Sequence, residues 1–151
     1  MVYFSIKYDK IKLVIYMTRT EKREIIIKVI YQTIILDKIN EKDNIEDLVK
    51  EYVENDNFIL ETSKNVKEKE KELTKLGNKY INEKWTMSRL SILDQAIIML
   101  GIYELLYTNT PNVVIINEAI ELSKKYSDEN MPKVINGVLD AVFHNEERIN
   151  E

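Results

Sequence analysis

Cysteine is absent from the 151 residues, which excludes disulfides, thiolate metal sites and a cysteine nucleophile and agrees with a reducing compartment. Glycine occurs three times and proline twice, a poor supply for a turn-rich β fold. Gly77, Gly101 and Gly137 each stand alone inside helical pattern. They therefore form no phosphate-cradling loop, and their expected use is close packing of helices. The single histidine, His144, has no serine or carboxylate pattern around it and reads as a surface or capping residue. Glu118 and Glu121 lie three apart on one helix, but the Glu-x-x-His companions of a di-metal bundle are missing. No enzyme, no cofactor and no metal site is expected. Long apolar runs are missing as well, because Asp94, Gln95 and Glu104 interrupt the best candidate before the roughly 18 residues of a membrane span are reached. Near the start, Lys7, Asp9, Lys10 and Lys12 break the apolar stretch and no small-residue cleavage site follows. A soluble cytoplasmic protein is the expectation.

What remains is 44% hydrophobic and 32% charged residues, the balance of one all-helical domain. The stretch from Trp85 to Asp140 organises it. There Leu93, Ala96, Ile97, Leu100, Tyr103 and Tyr107 recur at spacings of three and four, which predicts a helix of about four turns with one buried face. After Pro111 the period returns with Val114 or Ile115, Ala119, Leu122 and Tyr126. After Pro132 it returns with Ile135, Val138, Leu139 and Val142. Three helices with short polar joints are the pattern of a helical core without a sheet.

Earlier in the chain, residues 2–16 alternate loosely and read as a short strand or extended arm. They are expected to be an appendage, so that the domain proper runs over 17–148. Thr18 and Glu21 form a capping box, after which Ile26, Val29, Ile30, Ile34 and Tyr31 should face inward and Glu24, Lys28 and Gln32 outward. Asp37 to Asn44 reads as a charged loop. Ile45, Leu48, Val49, Tyr52 and Val53 predict a second amphipathic helix, broken at Asn55-Asp56-Asn57. Ile59, Val66, Leu73 and Tyr80 then recur at sevens and predict one long helix, with the Lys-Glu tract between them as its solvated face.

Net charge is −4 but uneven. Residues 1–28 hold seven Lys or Arg against Asp9, Glu21 and Glu24, a balance of +4, which leaves −8 for the rest. A basic end on an acidic body can hold a polyanion locally.

Trp85, Arg89, Asp94, the run Ile102 to Leu105, the run Val114 to Leu122 and the run Asn136 to Asp140 resemble, in order and spacing, the C-terminal half of the transcription antitermination factor NusB family. Arg19, Arg23, Glu24 and Tyr31 stand where that family has its basic first helix. The resemblance covers about Met17 to Val142. It implies an all-α, NusB-like compact helical domain of two packed helical subdomains with about six to seven helices. It also implies a non-enzymatic function: binding boxA-type single-stranded RNA of nascent ribosomal RNA leaders together with the ribosomal protein NusE, and supporting read-through by the RNA polymerase antitermination complex. On that resemblance Arg19 and Arg23 would neutralise phosphates, with Lys22 beside them as a further RNA-binding candidate that has no strict match in the family. Asn130, Lys133 and Val134 would continue the RNA surface, and Tyr31 and Asp94 would touch NusE. Asn117, Glu118 and Asn136 are assigned to internal hydrogen bonds. Exchanging Arg23 for Glu should then weaken RNA binding and leave helicity intact.

The family pattern has arginine in many members where this chain has Gln95 and Met99, and phenylalanine where it has Val134. Loss of an aromatic contact to a base can cost about 1 to 3 kcal/mol, which predicts weaker RNA affinity or a shift toward the N-terminal lysines. Two further readings follow from the same resemblance: a substrate-binding module of ribosomal RNA methyltransferases, and an interaction scaffold without RNA binding. Both monomers and homodimers are compatible with it.

Overall fold

The computed structural model describes residues 17–149; the expected N-terminal appendage lies outside them. Among the described residues there are seven α-helices, one 3-10 turn and no strand. The helices are α1 (Arg19–Lys38), α2 (Ile45–Lys50), α3 (Asn57–Glu68), α4 (Glu70–Tyr80), α5 (Ile92–Tyr107), α6 (Asn112–Tyr126) and α7 (Met131–Asn145), with the 3-10 turn at Met87–Arg89 before α5. They divide into two compact units, the boundary falling between Lys67 and Glu68.

In the first unit the capping box forms as expected, with the Thr18 hydroxyl accepting from the Glu21 amide at 3.1 Å. Helix α1 runs two residues further than its apolar pattern and stops at Asn40, whose φ of 56° is the left-handed turn that unwinds a helix end. The Glu41 amide reaches back to the Leu36 carbonyl at 2.9 Å and the Asn40 amide to that of Asp37 at 3.2 Å, closing the last turn. The buried stripe differs from the expected one. Ile25 and Ile27 are buried along with Ile26, Val29, Ile30 and Ile34, while Tyr31 is 40% exposed and Glu24, Lys28 and Gln32 are only half out of solvent. Three consecutive isoleucines span roughly 200° of a helix, so the buried arc of α1 is wider than a simple stripe, while Thr20, Glu21 and Tyr31 stay exposed on the opposite side. Asn44 caps α2 by accepting from the Asp47 amide, and the break expected at Asn55-Asp56-Asn57 is present, with Asp56 capping α3 through the Ile59 amide at 2.9 Å.

One long helix was expected from Ile59 to Tyr80, but two occur, parted at Lys69. Ile59, Val66 and Leu73 are each fully buried as the sevenfold spacing requires. The first two belong to one unit and the third to the other. Lysine and glutamate are good helix formers, so the tract between them carries no sequence mark of the interruption.

In the second unit α5 is central. Helices α4, α6 and α7 all pack on it, and α6 and α7 pack along each other. The single buried face expected for α5 is therefore too narrow: every residue from Ala96 to Leu106 is buried, Glu104 included. Between the two candidates after Pro111 it is Ile115, 1% exposed, that faces the core, and Val114 that is exposed. Ile135, Val138, Leu139 and Val142 line α7 inward as expected. A methyl group added at Gly101 would lie 2.8 Å from both terminal carbons of Leu139, and one at Gly77 2.7 Å from the Met87 sulfur, so both glycines serve close approach. Gly137 does not, since nothing lies within 4 Å of the same position.

Candidate nucleic-acid interface

In the first unit the candidate residues stand on the opening turns of α1, where the N-cap and the acidic Glu21 start the helix and bring Arg19, Lys22 and Arg23 close together. Their environments separate them. Arg19 is exposed, its guanidinium carbon 3.8 Å above the centre of the Phe58 ring. Lys22 is held, Nζ 2.7 Å from Asp56 Oδ2, on a carboxylate whose side chain is only 5% exposed. Arg23 is 4% exposed, because one hundred degrees of rotation per residue turns it under the helix. The expectation of an outward cation at Arg23 is corrected: a buried guanidinium is a structural group and requires partners inside the protein. Tyr31, three turns along the same helix, is at the surface and free of the core position expected for it.

In the second unit Asp94 is 4% exposed. It occupies the first turn of α5, where Ser91 accepts from its amide at 3.1 Å. The Ser127 hydroxyl donates to its carboxylate, tying the start of α5 to the end of α6. That buried bond fits a joint between helices rather than an outward contact to a partner. Asn130, Lys133 and Val134 come together at the start of α7. They line one cleft of about 500 Å³. Its other walls include Tyr80 at the end of α4, Asn82 just beyond it, Glu129, and Gly137, whose missing side chain leaves the helix backbone approachable. The Tyr80 hydroxyl donates to Glu146 Oε2, with Lys79 Nζ 3.3 Å from the same oxygen. The Tyr80 bond first, and Lys79 after it, hold the Glu146 carboxyl below the ordinary carboxylate range. An aromatic ring, amides and an ammonium can hold a planar base and its phosphate, with the Glu129 carboxylate in the same lining opposing the phosphate charge.

Sequence reasoning missed Phe58, Asp56, Tyr80 and Asn82. Tyr80 carried a signal, as the last residue of a sevenfold series whose end meets the surface, and Asp56 carried one as part of the expected helix break; Phe58 and Asn82 had none. Asn117 and Asn136 are exposed, correcting their assignment to internal bonds. His144 is exposed on α7, with Nδ1 2.8 Å from the Asp140 carbonyl oxygen. No group of three or more metal-ligating side chains occurs among the described residues, and none of their helices is long and apolar enough to cross a membrane.

The described residues define an all-helical domain that offers cations, amides and an aromatic at its helix ends. The chain belongs to the NusB family, whose model matches residues 20–144. It is 36% identical over 139 residues to the transcription antitermination protein NusB of a Thermoanaerobacter species, an alignment covering 86% of this chain and 93% of the relative. A shorter match to the Lactococcus lactis protein of the same name reaches 49% identity over 74 residues, 49% of this chain and 38% of that one. Among solved structures, T. maritima NusB superposes with a TM-score of 0.74 at 29% identity, covering 87% of this chain and 94% of the other. A complex of the antitermination factors NusB and NusE with dsRNA matches with a TM-score of 0.63 at 25% identity, covering 85% and 98%.

Proposed function

We propose that this chain is a transcription antitermination factor that binds RNA together with a NusE-type ribosomal protein, acting as an adaptor for RNA polymerase in the cytoplasm and not as a catalyst. The observation that carries the reading is the family membership over residues 20–144, joined to a solved relative whose complex holds both NusE and RNA. Within this chain, Arg19 and Lys133 are the cations we assign to phosphates, with Asn130, Val134 and Tyr80 meeting a base in the cleft at the start of α7. Tyr31, exposed on α1, is the residue we assign to the protein partner. Lys22, Arg23 and Asp94 serve the fold first, each being tied down or buried.

We propose further that the RNA is single-stranded and boxA-like, since splayed bases, not the deep groove of a duplex, fit a cleft of this kind. The experiment is a titration of labelled boxA-type RNA, single-stranded and duplex, with and without the NusE partner. Affinity is expected to rise when the partner is present and to favour the single strand. No gain from the partner would remove the adaptor reading, and preference for the duplex would remove the single-strand one.

A further inference from the structure

The basic end of α1 is seated on the start of α3 by two contacts. The Arg19 guanidinium lies 3.8 Å over the Phe58 ring, a face contact between planar groups. The donors of a guanidinium lie in its plane, so a ring beneath one face orients the cation and leaves its fork of N–H groups turned outward. Two residues before Phe58, Asp56 uses both oxygens: Oδ1 accepts from the Ile59 amide at 2.9 Å and Oδ2 holds Lys22 Nζ at 2.7 Å. Lys22 is thereby withdrawn into a pair whose side chains are 20% and 5% exposed. Phe58 is itself half-buried, which fixes its ring on α3.

We infer that Phe58 and Asp56 are positioning residues for RNA binding: Phe58 presents Arg19 to a phosphate with its donors already aimed, and Asp56 holds Lys22 back from the RNA. The inference rests on the reading that Arg19 meets RNA. It assigns the start of α3 the task of setting how many cations the basic end offers. Phosphate contacts set the salt dependence of binding, each changing the slope of log K against log salt by about 0.7 for a single strand. The two positions should accordingly act on different observables. Loss of the ring leaves the charge count unchanged and loosens the geometry. Loss of the carboxylate charge releases one more cation.

The test measures affinity for labelled single-stranded boxA-type RNA at several salt concentrations, with the NusE partner present, and helicity by circular dichroism. Arg19→Gln is expected to weaken binding and flatten the slope by about 0.7. Phe58→Leu should weaken binding about two- to fivefold at unchanged slope, the worth of an exposed cation–π contact. Phe58→Tyr should restore it, and Phe58→Leu should add nothing in an Arg19→Gln background. Asp56→Asn keeps a good helix cap and should steepen the slope by about 0.7. Should Phe58→Leu lose helicity, Phe58→Met fills the same space without a π face. Wild-type affinity in the Phe58 variant, or wild-type slope in Asp56→Asn, with Arg19→Gln weakened, overturns this inference alone. Wild-type affinity and slope in Arg19→Gln overturn it together with the Arg19 contact on which it stands.

Discussion

Arg19, Lys22 and Arg23 look equivalent as letters, yet the structure gives each a different physical state. One is exposed over a ring, one is paired, and one is buried. Removing a partner from a buried charge costs about 3 to 5 kcal/mol, so Arg23→Glu is expected to destabilise the fold by that order instead of leaving it intact, as urea denaturation would record. A midpoint equal to that of the parent protein would return Arg23 to the surface. Glu146 carries a pH dependence whose sign follows from its bonds. Its folded pKa lies below the ordinary 4.5 because Tyr80 and Lys79 favour the ionised form. The stabilisation is therefore present above that value and lost as pH falls through the depressed one. Glu146→Gln is expected to flatten this part of the melting-temperature profile; an unaltered profile would show that the bonds to Tyr80 and Lys79 contribute nothing.

At the scale of the helix, three glycines with the same sequence signature have two different uses. Glycine inside a helix costs about 0.5 to 1 kcal/mol relative to alanine, and at Gly101 that cost is offset by the approach of Leu139. Gly101→Ala would force a buried leucine to move and should lower stability by about 1 to 3 kcal/mol. Gly137→Ala meets no atom within 4 Å, so it should raise stability by about 0.5 to 1 kcal/mol. Thermal denaturation of the pair checks both signs. A stabilised Gly101→Ala would mean that the α5–α7 contact is looser than the distances state. The cleft at Gly137 adds a functional contrast, because the alanine that stabilises the helix would also narrow the proposed base site.

For the whole molecule, net charge is −4 with the excess of positive charge near the start of the chain. Four phosphate contacts, the number suggested by counting basic residues, correspond to a salt slope of about −2.8 for a single strand. With Lys22 paired and Arg23 buried, Arg19 and Lys133 remain, and the expected slope is about −1.4. Titration of single-stranded RNA from low to high salt distinguishes the two figures, and a slope at the steeper one would return Lys22 and Arg23 to the interface.

Much of the fold was legible because amphipathic period, capping chemistry and motif order are local properties. Thr18 and Glu21 predict a helix start whatever surrounds them, Asn55 to Asn57 predict a break, and the run from Trp85 to Asp140 identifies the family. What the letters left open depends on who surrounds a helix. The period of α5 specifies a face, but only packing by α4, α6 and α7 buries its whole circumference. The interruption at Lys69 is invisible in a tract of good helix formers. The candidate site was legible as a set of residue types near helix ends and no further. Burial turned Arg23 and Asp94 inward, Tyr31 outward, and brought Phe58 under Arg19. Charge and periodicity are written along the chain; exposure is decided by neighbours distant in it, and binding depends on exposure.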